Sequence, residues 1–356
     1  MRKKVMIGMS GGVDSSVAAL LLLQKGYDIT GVTLKLCPDK YVARPDKEVY
    51  NGDKDIEDAK NVADKLGIKH MVVDFTDLFD KKVISNFVDE YYNGRTPNPC
   101  IVCNKFLKFG AMFDLAMDKG FDYVATGHYA IVEFDKGKNR WILKRDNSLK
   151  DQSYVLYNLT QHQLSHVLFP LAGLEKTQTR KIAQEHGLSV DKKPDSQEIC
   201  FIKNDNYVNF IKKHFDYKSY TGNFIDRNGN VLGKHNGILN YTIGQRKGLG
   251  VTFGKPMYVV KIDPHNNNVV LGEEGEQYSN ELIATNLNFI PFDFPQDEIE
   301  VMAKIRYQAP LEKARIVPVS EDKIKVIFEN KQRSVTPGQS VVFYDGDIVL
   351  GGGTII

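Results

Sequence analysis

Cysteine is scarce in this chain and unevenly placed: Cys37, Cys100, Cys103 and Cys200 are the only four in 356 residues. Four so spaced cannot build a disulfide scaffold. In a reducing compartment a C-x-x-C pair with a distant third thiol reads instead as catalytic or metal-binding. Long apolar runs are lacking as well, so nothing approaches a bilayer span. The basic start Arg2-Lys3-Lys4 leads into an apolar stretch that ends at Met9, too short for the core of a secretion signal. A cytoplasmic protein with no membrane partner is the expectation. Neither sign of charge dominates, and a formal net charge of +2 neither demands nor excludes nucleic acid, since a basic face can be offset elsewhere. The two commonest nucleotide loops, G-x-x-x-x-G-K-[ST] and G-x-G-x-x-G, are also absent, which removes a lysine-bearing γ-phosphate cradle and the usual dinucleotide fingerprint. What remains, 42% hydrophobic and 26% charged residues, is the composition of a globular protein long enough for two or three domains.

The most informative stretch stands near the beginning. Val5 to Met9, with Gly8 inside it, reads as a strand; Ser10-Gly11-Gly12-Val13-Asp14-Ser15-Ser16 as a tight turn; and Val17 to Leu22 as the opening of a helix. Strand, glycine turn and helix in that order make an anion site. Adjacent glycines let backbone N–H groups converge on phosphate oxygens, the helix contributes its positive end, and the serine hydroxyls donate further. Asp14 inside such a cradle would repel the anion unless Mg²⁺ lay between them, which points to Mg-pyrophosphate and to ATP cleaved between its α and β phosphates. The turn resembles the pyrophosphate-loop (PP-loop) signature of the adenylating ATP pyrophosphatase superfamily.

Further along, 28–36 reads as a second strand that includes Leu34, a candidate nucleotide contact; 55–66 has helical spacing, and 70–74 returns to strand. This alternation predicts an α/β domain with a parallel sheet and ligands beyond its carboxyl ends. Residues 38–54, rich in Asp, Lys, Pro and Asn, read as an insertion. Cys37 borders it as a strand-end thiol. Pro97 and Pro99 stiffen the approach to Cys100 and Cys103, ahead of a helix expected to begin near Phe106, where the helix dipole and Lys105 would favour a thiolate. A strand from Phe121 to Thr126 ends in Gly127-His128-Tyr129, facing the same crest as the loop and suited to adenine or phosphate. Helices are expected over 161–167 and 177–186, the second presenting Arg180 outward, and a loop at Pro194-Asp195-Ser196 brings in Cys200. After about residue 215 short strand-like pieces separated by Gly, Asn and Asp predict a β-rich region with a hairpin at Asn228-Gly229. Six strand patterns from 280 to 350 predict a closed β-barrel. The expected division is 1–205, 206–275 and 276–356.

The combination of Ser10 to Ser16, Gly94 to Lys105, Thr126 to Tyr129, Lys150 to Tyr154, Asp195 to Ile202, Tyr241 to Gly250, Ile305 to Tyr307, Thr336 to Gln339 and Tyr344 to Gly346 resembles the tRNA-specific 2-thiouridylase family, the MnmA type, over nearly the whole chain. The resemblance implies ATP-dependent sulfuration of C2 of the wobble uridine in tRNAs for Lys, Glu and Gln. It implies that Cys200 accepts sulfane sulfur from a persulfide relay protein or cysteine desulfurase, and that Cys103 attacks the persulfide and ends in a disulfide with Cys200. Asn98, Lys150, Asp151, Gln152, Arg306 and Tyr307 become candidate tRNA contacts, Gln152 for the flipped base and its paired donor and acceptor. Arg246-Lys247, flanked by glycines, suits a phosphate backbone.

This chain departs from the family at Cys100, where many members carry an acid/base aspartate. Cysteine could move the proton instead or serve as a spare resolving thiol. Cys100, Cys103 and Cys200 could alternatively hold an iron–sulfur cluster with an open position. The persulfide route is preferred, because two thiols suffice for it. Other adenylating synthetases of the superfamily would keep the loop, but need no cysteine pair.

Overall fold

The computed structural model describes residues 2–41, 51–194, 199–202, 206–216 and 220–356. Most of the expected insertion at 38–54, and the Asp195-Ser196 part of the loop leading to Cys200, lie outside them. Three sheets organise the chain.

The first is built on β1 (Lys4–Gly8), whose Val5, Met6 and Ile7 are wholly buried. An apolar run without alternation is what a strand covered on both faces requires. β2 (Asp28–Lys35) and β3 (Lys69–Asp74) follow to one side, and β4 (Tyr123–Ala125) pairs on the other, all parallel. The chain then leaves this sheet as the antiparallel hairpin β5 (Ile131–Asp135) and β6 (Arg140–Lys144), and returns as β7 (Val167–Leu168) beside β4. The order β3-β2-β1-β4-β7 reverses direction between β1 and β4. A crevice opens at the carboxyl ends of strands at such a reversal. The segments 9–16 and 126–128 both emerge there, with Ile7 opposite Ala125 in the register.

Two expected helices differ from those observed. The helix expected near Phe106 starts at Pro99, seven residues earlier. Asn98 caps it, its side-chain oxygen accepting from Ile101 N at 3.3 Å, and proline at the first helical position loses no needed N–H. Helical structure then continues through a π-helical stretch, Asn104–Ala111, to Asp118. The helix expected over 161–167 stops at Leu164, and Val167 is drawn into the sheet. A parallel pairing outweighed helical spacing there.

β8 (Gly222–Ile225), β9 (Val231–His235), β10 (Tyr258–Asp263) and β11 (Asn268–Gly272) form a small mixed sheet in the order β10-β11-β8-β9. Gly229, at a φ of 87°, makes the expected turn between β8 and β9. β12 (Tyr278–Phe289), β13 (Ile299–Lys304), β14 (Glu312–Ser320), β15 (Lys323–Arg333), β16 (Ser340–Asp345) and β17 (Ile348–Ile355) form the barrel, closed where β12 pairs with both β15 and β17. β6 pairs with β17, so the hairpin from the first part of the chain is sewn onto the barrel.

One apolar core runs across the junction, joining Met6, Val32, Phe109 and Phe113 to Tyr154, Tyr157, Val342 and Tyr344. Tyr154 donates its hydroxyl to Ser340 O at 2.7 Å, and Tyr157 shares a hydrogen bond with Ser340 Oγ at 3.1 Å. Among the described residues no helix is long and apolar enough to cross a membrane. Tyr157→Ala is expected to lower the unfolding free energy by about 3–5 kcal/mol through the cavity it leaves, and Tyr154→Phe by about 1 kcal/mol. Denaturant midpoints at constant m-value measure both.

Candidate active site

The glycine turn fits an anion closely. Gly12 precedes the helix Val13–Gln24 as a residue without a capping side chain, so the first-turn N–H groups remain directed outward. Ser15 Oγ and Ser16 Oγ donate back to Gly12 O at 3.1 and 2.9 Å, and Ser10 N donates to Ser15 Oγ at 3.1 Å. Gly11 has a φ of +67°, and a Cβ on it would lie 2.3 Å from Asp55 O. Glycine is required there by both conformation and space. On the far side a Cβ on Gly127 would lie 2.8 Å from both Asp14 C and Ser15 N. Gly127, expected on the same crest as the loop and suited to adenine or phosphate, lies directly against the loop's backbone.

Asp14 is already engaged. Lys176 Nζ donates to both its carboxylate oxygens at 2.7 Å, and Tyr129 Oη donates to Oδ1 at 2.8 Å. Lys193 Nζ reaches Gly11 O at 3.0 Å and the carboxylates of Asp55 and Asp58 at 2.7 and 2.6 Å. Neither lysine was legible in the sequence, because each arrives from a distant helix or loop. The uncapped helix start, Lys176 and Asp14 are the groups that would hold Mg-bound phosphates here, with Asp14 toward the metal, while Lys193 braces the turn. Met9 extends β1, its N–H donating to Val32 O at 2.8 Å, while Leu34 packs partly buried beside the shared core.

His128 lies deeper than its position at a strand end implies. Only 8% exposed, it shares a hydrogen bond with Thr126 Oγ1 at 2.7 Å and faces the rings of Phe109 and Phe169. Burial, with Lys108 nearby, holds its pKa well below the usual histidine value and keeps it neutral.

The cysteines come together. Cys37 and Cys103 are buried in one apolar cluster with Phe201 and Ile202, the residues that follow Cys200. The Cys200 thiol is pushed up, first by the surrounding protein and then by Cys103, Cys100 and Cys37. It is exposed on one side, so water tempers that push. Burial also raises Cys103, which outweighs the expected help from the helix start, as Cys103 stands at the end of the segment Pro99–Cys103. The lysine that opposes the rise is Lys108, not Lys105; it acts on Cys103, Cys200 and His128 alike. Lys105 lies against the Phe106 ring. Cys100 is exposed. Among the described residues no three Cys, His, Asp or Glu side chains converge as a metal site, so no step below passes through an iron–sulfur cluster.

The candidate tRNA residues divide in two. Gln152 Oε1 accepts from Tyr129 N at 3.1 Å, which orients the amide while its second lone pair and its amide nitrogen keep both acceptor and donor capacity. Asp151 holds its own turn, accepting from Asp146 N and Ser153 N at 3.0 and 3.1 Å, and Tyr307 Oη donates to Asp151 O at 2.9 Å. Lys150 is exposed. Arg306 is anchored through Nη2, which donates to Arg333 O and Ser334 O at 2.5 and 2.9 Å. Arg246 lies 6.0 Å from the Tyr258 ring, while Lys247 is exposed. Arg180, expected outward, folds back to donate to Asp191 O and Lys193 O at 2.7 and 3.0 Å.

Because His128 is held neutral when folded but protonates near 6.5 when unfolded, the unfolded chain takes up more protons as pH falls below that value. Stability is therefore fully present above pH 6.5 and declines below it. Unfolding titrations at pH 7 and pH 5 should show that loss, and a His128→Gln variant should show a smaller one.

Three family models match in succession: the "tRNA methyl transferase HUP domain" over 3–204, the "tRNA methyl transferase PRC-barrel domain" over 208–273 and the "Aminomethyltransferase beta-barrel domain" over 279–355. The tRNA-specific 2-thiouridylase MnmA of Acetivibrio thermocellus is 54% identical over 99% of this chain and 99% of its own. That of Clostridioides difficile is 54% identical over 100% of this chain and 98% of its own. Among solved structures, a 4-thiouridine synthetase–RNA complex with bound ATP covers 54% of this chain and 43% of its own at 20% identity and a TM-score of 0.34, a likeness too slight to carry an argument. With over half its residues identical to such proteins along essentially its full length, this chain belongs to the tRNA-specific 2-thiouridylase family.

Proposed function

We propose that this protein uses ATP to replace O2 of the wobble uridine of tRNAs for Lys, Glu and Gln with sulfur, releasing AMP and pyrophosphate. The observation that carries this reading is the packing of Cys103 in one apolar cluster with Phe201 and Ile202, the residues that directly follow Cys200, which brings together two thiol-bearing segments far apart in the chain. Alkyl transfer, which the family-model descriptions name, has no use for two such thiols beside a pyrophosphate loop. The same division, 1–205, 206–275 and 276–356, is our reading of how catalysis and tRNA contact are shared.

The loop 10–16 and the start of its helix hold the pyrophosphate end of ATP. Mg²⁺, when bound at Asp14, would offset charge between that carboxylate and the phosphates. Lys176, which donates to both carboxylate oxygens of Asp14, would share its charge between that carboxylate and the phosphates. Uridine O2 attacks the α-phosphorus, the bond to the β-phosphate oxygen breaks, and pyrophosphate leaves.

Cys200, exposed on one side, takes sulfane sulfur from a persulfide relay protein or cysteine desulfurase and becomes Cys200–S–SH. The Cys103 thiolate attacks the inner sulfur, forming the Cys103–Cys200 disulfide and releasing hydrosulfide. Hydrosulfide adds to C2, and AMP departs with the former O2. An external thiol reductant must restore the pair. Lys108 favours the thiolate that burial disfavours. Cys100, exposed at the same helix start, moves the proton that the family aspartate would. Gln152 donates to the uridine edge, and Arg246 and Lys247 follow the phosphate backbone.

Incubation with ATP, unmodified tRNA and a persulfide source should add sulfur to the wobble uridine by nucleoside mass spectrometry, with pyrophosphate release that requires tRNA. Asp14→Ala should abolish that release while sparing tRNA binding; normal release by the variant overturns the loop assignment. A separate prediction divides the thiols. Cys200→Ser should not take up labelled sulfur, whereas Cys103→Ser should take it up and fail to deliver it. Intact-mass analysis reads both, and label resting on Cys103 reverses the roles.

A further inference from the structure

The segment that presents the cysteines cannot hold itself. Of residues 96–99 only Thr96 and Asn98 own a backbone N–H, since Pro97 and Pro99 have none. It is held from the barrel. Thr96 N donates to Pro337 O at 2.9 Å, and Gln339 Nε2 donates to Thr96 O and Pro97 O at 2.9 and 3.2 Å. Gly338, at a φ of +89°, lets the two backbones meet: a Cβ there would lie 2.9 Å from Thr96 O and 3.0 Å from Thr96 N. Gln339 is itself fixed, its backbone oxygen accepting from Ile355 N at 2.8 Å and its N–H donating to Thr336 O at 3.2 Å. One residue beyond Pro97 comes Asn98, the cap of the helix that carries Cys100 and Cys103.

We propose that Gln339 is a positioning residue for sulfur transfer: its side-chain amide grips the two carbonyls ahead of the cap, and so sets where Cys100 and Cys103 stand relative to Cys200. This rests on the thiolation reading above. The grip depends on donation. Both partners are carbonyl oxygens, which glutamine can serve and glutamate, of the same shape, would repel. Loss of the grip is expected to leave the ATP loop in place, since that loop is held by its own serines and by Gly127, Lys176 and Lys193. It lets the cysteine helix shift by fractions of an ångström, and misplacement of that order is costly in a transfer between two thiols.

The test compares wild type, Gln339→Ala and Gln339→Glu in three assays. Both variants should lose on the order of 10- to 100-fold in thiolation kcat, keep tRNA KM and tRNA-dependent pyrophosphate release near wild type, and alkylate several-fold faster at the buried Cys103 by peptide mapping. Unchanged kcat and unchanged Cys103 alkylation overturn the proposal. So does a parallel fall in thiolation, pyrophosphate release and melting temperature, which marks a general contribution to folding. A glutamate variant that behaves as wild type overturns the donor role. A wild type that alkylates as described but adds no sulfur to tRNA overturns the functional reading, and the alkylation rates still decide the placement of Cys103.

Discussion

The backbone of Gly127 presses against the first turn of the helix behind the glycine loop, leaving no room for even one carbon at that contact. This closeness is possible because β1 and β4 are direct neighbours, and they are neighbours because the sheet reverses its direction of growth between them. Gly11 is confined from the opposite side by Asp55. The cradle is thus a fixed gap between two backbones. Side chains only trim it, which is why Lys176 and Lys193 can arrive from remote parts of the chain and still reach Asp14 and Gly11 O at 2.7 and 3.0 Å.

Elements whose cause is local were legible in the residues. The uninterrupted apolar run of β1, the Asn228-Gly229 turn and the short apolar strand patterns of β12 to β17 each carry their explanation within a few positions. The glycine turn does too, since anion binding by backbone N–H groups needs little beyond glycine and a helix start. What escaped has its cause elsewhere. Nothing near Val167 announces that β4 will recruit it, and nothing near Gln339 announces Thr96. His128 reads as a crest residue by position, yet Phe109 and Phe169 close over it. Gln152 reads as a uracil partner, but nothing near it announces that Tyr129 N will orient its amide.

The sulfur centre combines opposing tendencies. On the proposed route Cys103 must be a thiolate at the moment of attack, but it is sheltered in an apolar cluster that favours the thiol. Shelter has a use: hydrosulfide released where water is scarce is less free to diffuse away before it meets C2. Lys108, which lies along the π-helical stretch after Cys103, opposes the rise that burial imposes on Cys103 and Cys200. The exposed Cys100 differs from its buried neighbour in being open to solvent protons.

The pairing of β6 with β17 has a bearing on how the molecule is made. β6 leaves the ribosome long before β17, so the hairpin that hangs from the nucleotide-binding sheet waits, one edge unpaired, through the synthesis of the middle sheet and most of the barrel. An unpaired edge in a nascent chain invites mispairing. The charges along this hairpin are protective in that interval: Lys144 is drawn to Glu133 across the hairpin, and reaches Asp347 only when the last strand arrives. The catalytic region therefore completes its own fold late, in step with the part of the protein that is translated after it.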